Sequence, residues 1–287
     1  MVHTLKRLES ILGDKVKKKL YIIPTPIGNM DDITIRAIKV IAEVDVLLAE
    51  DTRVAKKLLD FHNISKKIIS NHKFNEKSNL SKSIFENHQV IGLISDRGTP
   101  LISDPGYIFV NEAIERGYKV ECLPGATALI PALVVSGLKT EPFLFYGFLD
   151  SKSSKRKMEL KKLQNEENTL IFYESPHRIL ETLKDMKEIF GDRCVSVSRE
   201  ISKKYETTYR SSLFKIENEM DIVKGEYVIV VDGNNEVIDF SKIKIEEHIQ
   251  IYVENGLSVK EAIKKVAKER GLAKGVVYNK YHRNGDE

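Results

Sequence analysis

Cysteine is nearly absent: Cys122 and Cys194 are the only two in 287 residues, and they lie far apart. That excludes a disulfide framework and the closely paired ligands of a zinc site. The seven histidines are scattered, with no two at metal-ligand spacing on one expected helix, so no metal is expected. No apolar run approaches the roughly 20 residues of a membrane span. The N-terminal MVHTLKRLESILGDKVKKKL is basic but has no continuous apolar core ahead of a small-residue cleavage site. It does not read as a secretory leader, and a cytoplasmic protein is expected. Neither GxxxxGKS/T nor a GxGxxG after the first strand occurs, which disfavours a cofactor held by its phosphates. Internal repeats and low-complexity tracts are also lacking.

What is present is a globular balance, 41% hydrophobic and 31% charged, on a chain long enough for two domains. The net charge of +4 is modest, but its distribution is uneven. SKSSKRKMELKKL, residues 151–163, holds six Lys/Arg and one Glu, and residues 241–287 hold ten against seven Asp/Glu. Such clusters suit a phosphate-rich partner; they also suit a solvated helix face.

The first half alternates short apolar runs with helical stripes. LYIIPT, DVLLAE, VIGLIS and KVECLP read as strands. TIRAIKVIAEV, RVAKKLLDF, PGYIFVNEAIERG and GATALIPALVVSG read as helices, with Pro105 near the start of the third and Gly117 and Gly137 as stops. Alternation of this kind implies a mostly parallel sheet covered on both faces. From about residue 143 the strands FLFYGFL, TLIFYE, CVSVSRE, YETTYRSSL and EYVIVVD come closer together, implying a second α/β unit with more antiparallel character. The expected organisation is an extension (1–19), an α/β domain (20–142), a second α/β domain (143–240) and a helical tail (241–287). In the tail, Ser258 is a plausible N-cap, Gly271 a helix stop, and Val276, Val277 and Tyr278 open a second helix. That is helix-turn-helix spacing. It suits either nucleic-acid contact through Lys274, Lys280 and Arg283 or a helical hairpin used for packing.

Four turn-rich loops follow strands: PTPIGNMDDIT, SDRGTPLISDPG, PGATA and ESPHR. In open α/β sheets ligands bind outside the carboxyl ends of strands, and Gly28, Gly98, Gly106 and Gly125 allow tight turns or close backbone approach.

YIIPTPIGNMDDITIRAI, AEDTR, SDRGTPLISDPGY, LPGATALIPAL, GFL and FYESPHRI, in this order and spacing, closely resemble the tetrapyrrole-methylase superfamily. Within it the chain looks like the branch that methylates the ribose 2'-hydroxyl of a cytidine in small-subunit (16S) ribosomal RNA. The resemblance implies two α/β domains, S-adenosylmethionine in the cleft between them, and a homodimer. Carried over by position, the cofactor shell is Pro26, Ser95, Asp96, Gly98, Leu101, Ile102, Thr127, Ala128, Tyr173 and Glu174. Candidate acceptors for the hydroxyl proton are Asp96, Asp104 and Glu174. For Asp96 the alternative is turn stabilisation; for Glu174 it is an ion pair with Arg178. RNA phosphates are expected to meet Arg53, Lys152, Lys155, Arg156, Lys157, Lys274, Lys280 and Arg283. The related loops commonly carry a small residue where this chain has Arg97. Its guanidinium could crowd the cofactor, meet RNA, or pair with Asp96 or Asp104. Two other readings stand beside this one: methylation of a corrin or porphyrin precursor, and a non-catalytic RNA-binding protein on the same fold. The basic segment and the tail favour RNA over the first.

Overall fold

The computed structural model describes residues 18–70, 79–221, 224–234, 243–254 and 256–283. The chain divides at about Asn234 into two compact units. The larger one is built on two five-stranded sheets.

The first sheet contains β1 (Lys19–Ile22), β2 (Val46–Ala49), β3 (Ile68–Ser70), β4 (Val90–Leu93) and β5 (Lys119–Cys122), in the order β3-β2-β4-β1-β5 and all parallel. Parallel strands need crossovers, and helices α1 (Ile35–Glu43), α2 (Thr52–Phe61), α3 (Asn79–Asn87) and α4 (Tyr107–Glu115) supply them. β2 is buried along its whole length, as a strand covered on both faces must be. Its alternate residues feed different cores. Leu47 joins Ile41, Leu58 and Leu59 on one side, while Val46 and Leu48 join Ile84, Phe85 and Phe109 on the other. Thr34 caps α1 by accepting from the Ala37 N–H, and Asp51 caps α2 by accepting from Arg53.

Two sequence expectations shift here. Pro105 lies outside α4, because Gly106 at φ 131° is its N-cap. The helix expected over residues 125–137 is only α5 (Leu129–Val135); its first residues instead form a loop held against the strand ends.

The second sheet contains β6 (Phe143–Phe148), β7 (Thr169–Glu174), β8 (Cys194–Arg199), β9 (Thr207–Ser212) and β10 (Tyr227–Val231), ordered β6-β7-β10-β8-β9. Only β6 and β7 pair in parallel; the rest are antiparallel. Helices α6 (Ser153–Leu163) and α7 (Ile179–Phe190) cover one face through Leu160, Leu183 and Met186 against Leu170, Phe172 and Ile229. The other face receives Ala132 and Leu133 of α5 against Ile171, Val228 and Val230. The helix that leaves the first sheet therefore packs on the second. A single helical turn, α8 (Ile216–Glu219), completes this unit.

The smaller unit is three helices, α9 (Ile245–Glu254), α10 (Val259–Glu269) and α11 (Lys274–Arg283). Its core is Ile245, Ile249, Ala262, Ile263, Val266, Ala267 and Val277. Ser258 and Glu261 form a reciprocal capping box at the start of α10, and Gly271 at φ 60° ends that helix. α9 was not anticipated as a separate element. It supplies Ile245 and Ile249 to the core that α10 and α11 require.

Candidate active site

In the first sheet β1 lies between β4 and β5, although β2 and β3 intervene in sequence. The loops leaving β4, β1 and β5 are therefore side by side at the carboxyl edge. Backbone hydrogen bonds join the first two: Thr25 N donates to Gly98 O (2.9 Å) and Gly98 N to Thr25 O (3.0 Å). The Thr25 hydroxyl donates to Ser95 O (3.1 Å), and the Thr99 hydroxyl to Ala126 O (3.0 Å), which ties in the third loop. Gly98 sits at φ 77°, where a Cβ is disfavoured. A Cβ on Gly125 would lie 2.5 Å from Pro24 Cβ, so glycine is what lets these two loops touch. Leu101 and Ser103 also adopt left-handed backbone, φ 73° and 66°. Non-glycine residues hold that conformation at a cost of about 1–3 kcal/mol each, and such strain concentrates at ligand-binding sites.

Facing these loops are the ends of β6 and β7 and the start of β10. Between them lies a cavity of about 290 Å³, at the lower end of the usual range for ligand pockets, roughly 300–1,000 Å³. Of the residues expected around the cofactor, Gly98, Ile102, Thr127, Ala128, Tyr173 and Glu174 line it, as does Asp104. Tyr173 packs edge-on against Phe145 and Phe148. Burial pushes its phenol pKa up, opposed by hydrogen bonds with the Thr127 side chain and the Leu129 backbone. Pro26, Ser95 and Asp96 instead line a separate recess of about 40 Å³ beside α2. Leu101 lines neither, and packs its side chain against Gly106 and the core below β4.

The three candidate proton acceptors separate by their surroundings. Glu174 is 2% exposed. Its carboxylate accepts from Ser175 N (2.7 Å) and the Thr182 hydroxyl (2.6 Å), and it pairs with Arg178 at 2.7 Å. These three donors, one of them a guanidinium, favour the ion-pair alternative. Asp96 accepts from the backbone N–H of Asp51 (2.9 Å), so it fastens the β4 loop to the start of α2. Asp104 faces the cleft directly.

Arg97 pairs across the cleft mouth with Glu226, just before β10, and not with Asp96 or Asp104. Glu226 is shared with Lys203 (2.9 Å), which also pairs with Glu200 (2.8 Å). Lys203 lies over Gly28, where a Cβ would overlap its side chain, and Ser202 hydrogen-bonds Asp32. The segment after β8 thus grips the β1 loop. Glu226 and Lys203 escaped the sequence reading; nothing local in the sequence marks them.

The basic segment divides in the same way. Lys152 is exposed, and Lys155 is exposed with Asp150 at 3.8 Å. Lys157 is half-buried between Glu188 and Asp185. Arg156 corrects the expectation of a phosphate contact: it is fully buried, with Nε 2.7 Å from Asp185 Oδ2. α6 turns this one cation inward onto α7. Arg53 is exposed and chelates Asp51, which it holds down at about 2. Lys274 and Lys280 are exposed on α11; the Arg283 side chain lies outside the described residues.

The family model for tetrapyrrole (corrin/porphyrin) methylases matches residues 19–217. A Bacillus subtilis protein named ribosomal RNA small subunit methyltransferase I is 42% identical over 97% of this chain and 99% of its own length. The chain belongs to the tetrapyrrole methylases, in their ribosomal RNA small subunit methyltransferase I group. A Mycoplasmopsis pulmonis protein of the same name is 43% identical over 74% of this chain and 96% of its own. Among solved structures, uroporphyrin-III C-methyltransferase from Thermus thermophilus, complexed with S-adenosylhomocysteine, shares the fold. Its TM-score is 0.53 at 17% identity, covering 74% of this chain and 96% of that one. The family match stops before the three-helix unit, whereas the Bacillus subtilis relative aligns through nearly all of the chain.

Proposed function

We propose that the protein methylates the ribose 2'-hydroxyl of a cytidine in 16S ribosomal RNA, with S-adenosylmethionine as donor. The observation that carries this reading is the 42% identity over 97% of the chain to a relative named for ribosomal RNA methylation. The cleft supports it. Its walls are backbone-rich loops from the first sheet and aromatic side chains from the second, which suits a ligand with a flat polar base and an apolar thioether arm. S-adenosylmethionine, when bound, supplies an electrophilic methyl group on a cationic sulfur. Gly98, Thr127 and Ala128 would hold it through backbone groups, with Ile102 and Tyr173 as apolar wall.

The rest of the chemistry falls to this chain's own side chains. The 2'-hydroxyl must be held in line with the methyl, which can account for much of the rate, and its proton must go to a base. Asp104 takes that role in this reading because it is half-buried in the wall of the cleft, whereas Asp96 lies in the separate recess beside α2 and Glu174 is buried against Arg178. The ribose must be splayed out of any helix to enter the cleft. Lys152, Lys155 and the cations of the tail would grip the flanking phosphates. A homodimer acting on the small subunit in the cytoplasm, with domains at about 20–142 and 143–240 and the tail as an RNA arm, completes the proposal.

The test is transfer from labelled S-adenosylmethionine to small ribosomal subunits, followed by mapping of the modified nucleotide. Label on a cytidine ribose is expected; label on a base refutes the assignment. Asp104→Asn should lower turnover about 10²- to 10⁴-fold with donor affinity changed far less. Removing residues 241–287 should weaken RNA affinity while leaving transfer measurable at high subunit concentration.

A further inference from the structure

Between α10 and α11 lies a second cavity, of about 310 Å³, that belongs to the helical unit alone. Its floor is Val259 and Ile263, its wall Tyr278 and His282, and its rim Lys260 and Lys274. Tyr278 is 50% exposed, so one face of its ring is open to a ligand. The rings of Tyr278 and His282, one turn apart on α11, sit 4.3 Å apart between centroids.

The electrostatics around it are one-sided. From Leu257 to Arg283 there are eight Lys/Arg and two Glu. Both acids are used internally. Glu261 closes the capping box with Ser258, and Glu269 accepts from the Tyr252 hydroxyl (2.9 Å) and pairs with His248. The outward charge is therefore cationic, which selects an anionic occupant. An apolar and aromatic floor selects one that also carries a flat, unsolvated face. Nucleic acid has both.

Helix-turn-helix spacing by itself points to a duplex, with the second helix in the major groove. In A-form RNA that groove is too deep and narrow to be read by a helix. An aromatic platform flanked by lysines is instead what single-stranded nucleic acid uses. We propose that the cavity between α10 and α11 takes up one unstacked nucleotide of a single-stranded RNA segment, its base on Tyr278 and His282 and its phosphates at Lys260 and Lys274. This rests on the RNA reading above and specifies which RNA the tail recognises.

The test uses the full-length chain and a short fluorescent oligouridine, with an RNA duplex of equal length as competitor. Binding is followed by anisotropy at low and physiological salt. Tyr278→Ala should weaken single-strand binding about 5- to 150-fold, the usual worth of one stacked base, and Tyr278→Phe should stay within about twofold. The salt slope should be unchanged in both, whereas Lys274→Ala should lower it by about 0.7, the value for one single-strand phosphate contact. Val277, not Tyr278, is the α11 residue fully buried in the core, so these variants keep their fold; an unchanged melting transition confirms it. Oligouridine binding that Tyr278→Ala leaves untouched overturns the proposal. So does preference for the duplex, or no oligouridine binding by the unmodified protein. Transfer to small subunits, measured in parallel, separates the two claims. A protein that fails to methylate ribosomal RNA but loses single-strand affinity with Tyr278 refutes the proposed function and supports this site.

Discussion

Arg97→Ala tests whether the guanidinium at the cleft mouth serves the cofactor or only the contact between the two walls. Its side chain is 52% exposed and that of Glu226 is 58%. An ion pair this wet contributes about 0–1 kcal/mol, and Glu226 keeps Lys203 at 2.9 Å when Arg97 is gone. For a unit of this size the melting temperature should fall by no more than about 4 °C. The effect on ligands follows from charge. S-adenosylmethionine carries a sulfonium; the product, S-adenosylhomocysteine, carries a neutral thioether. In bulk water two unit charges about 4 Å apart interact by about 1 kcal/mol, which bounds the effect at this exposed mouth, and Glu226 cancels part of it. Removing Arg97 should therefore tighten S-adenosylmethionine by up to about fivefold and shift S-adenosylhomocysteine by less than about twofold. Titration calorimetry of the two ligands against both proteins reads the difference. Equal shifts for the two would refute the charge argument. A tenfold or greater loss of both would show that Arg97 holds the cofactor directly.

Three further perturbations follow from buried polar groups. Glu174→Ala should destabilise the chain by about 3 kcal/mol, because Arg178 and the Thr182 hydroxyl lose their shared acceptor. Thermal melts should show that loss, and a normal melt with abolished transfer would restore Glu174 as a base. Arg156→Met should cost a similar ~3 kcal/mol by leaving Asp185 under-compensated, with the salt dependence of RNA binding unchanged; Lys155→Ala should do the reverse. In the helical unit His248 is fully buried, and burial holds its imidazole below the ordinary value, with Arg270 adding to the fall and Glu269 opposing it. The unfolded chain then binds the proton more readily, so stability is full above about pH 6.5 and declines as pH falls below it. Hydrogen exchange of α9–α11, corrected for intrinsic rates, should speed up from pH 7.5 to 5.5, and His248→Leu should remove that dependence.

Much of the architecture could be read from the chain because its signals are local. Strands ending in Gly-Pro loops, helical stripes, Ser258 as a cap, and stops at Gly117 and Gly271 each rest on a few neighbouring residues. That the loops after β1, β4 and β5 meet follows from parallel order once the crossovers are placed. The left-handed backbone at Leu101 and Ser103 was not legible, since neither residue type signals it. Nor was the division of the expected cofactor shell between two recesses, with Pro26, Ser95 and Asp96 beside α2. The β4 loop reverses within a few residues, and that reversal decides which side chains face which cavity.

The charged residues show where local reading fails and what could have repaired it. Arg156 looked like one more cation in a basic run. Yet Arg156 and Leu160 are one turn apart, and such residues share a face. Leu160 is fully buried, and the helical period puts Arg156 on that same face, where Asp185 of α7 meets it. Glu174 and Arg178 carry the same spacing across the end of β7, and they pair. Arg97 offers no such clue, because Glu226 is 129 residues away and is brought to it only by the docking of one sheet's loops on the other's strand ends. A charge in a sequence is therefore available to a ligand only after its helix face and its tertiary partner have both been counted. By that standard Lys152, just before α6, and Lys274 and Lys280, on α11, are exposed to a ligand, and Asp104 lines the cleft. Arg156 loses its role, and Arg97 acquires a new one, bridging the two walls of the cleft.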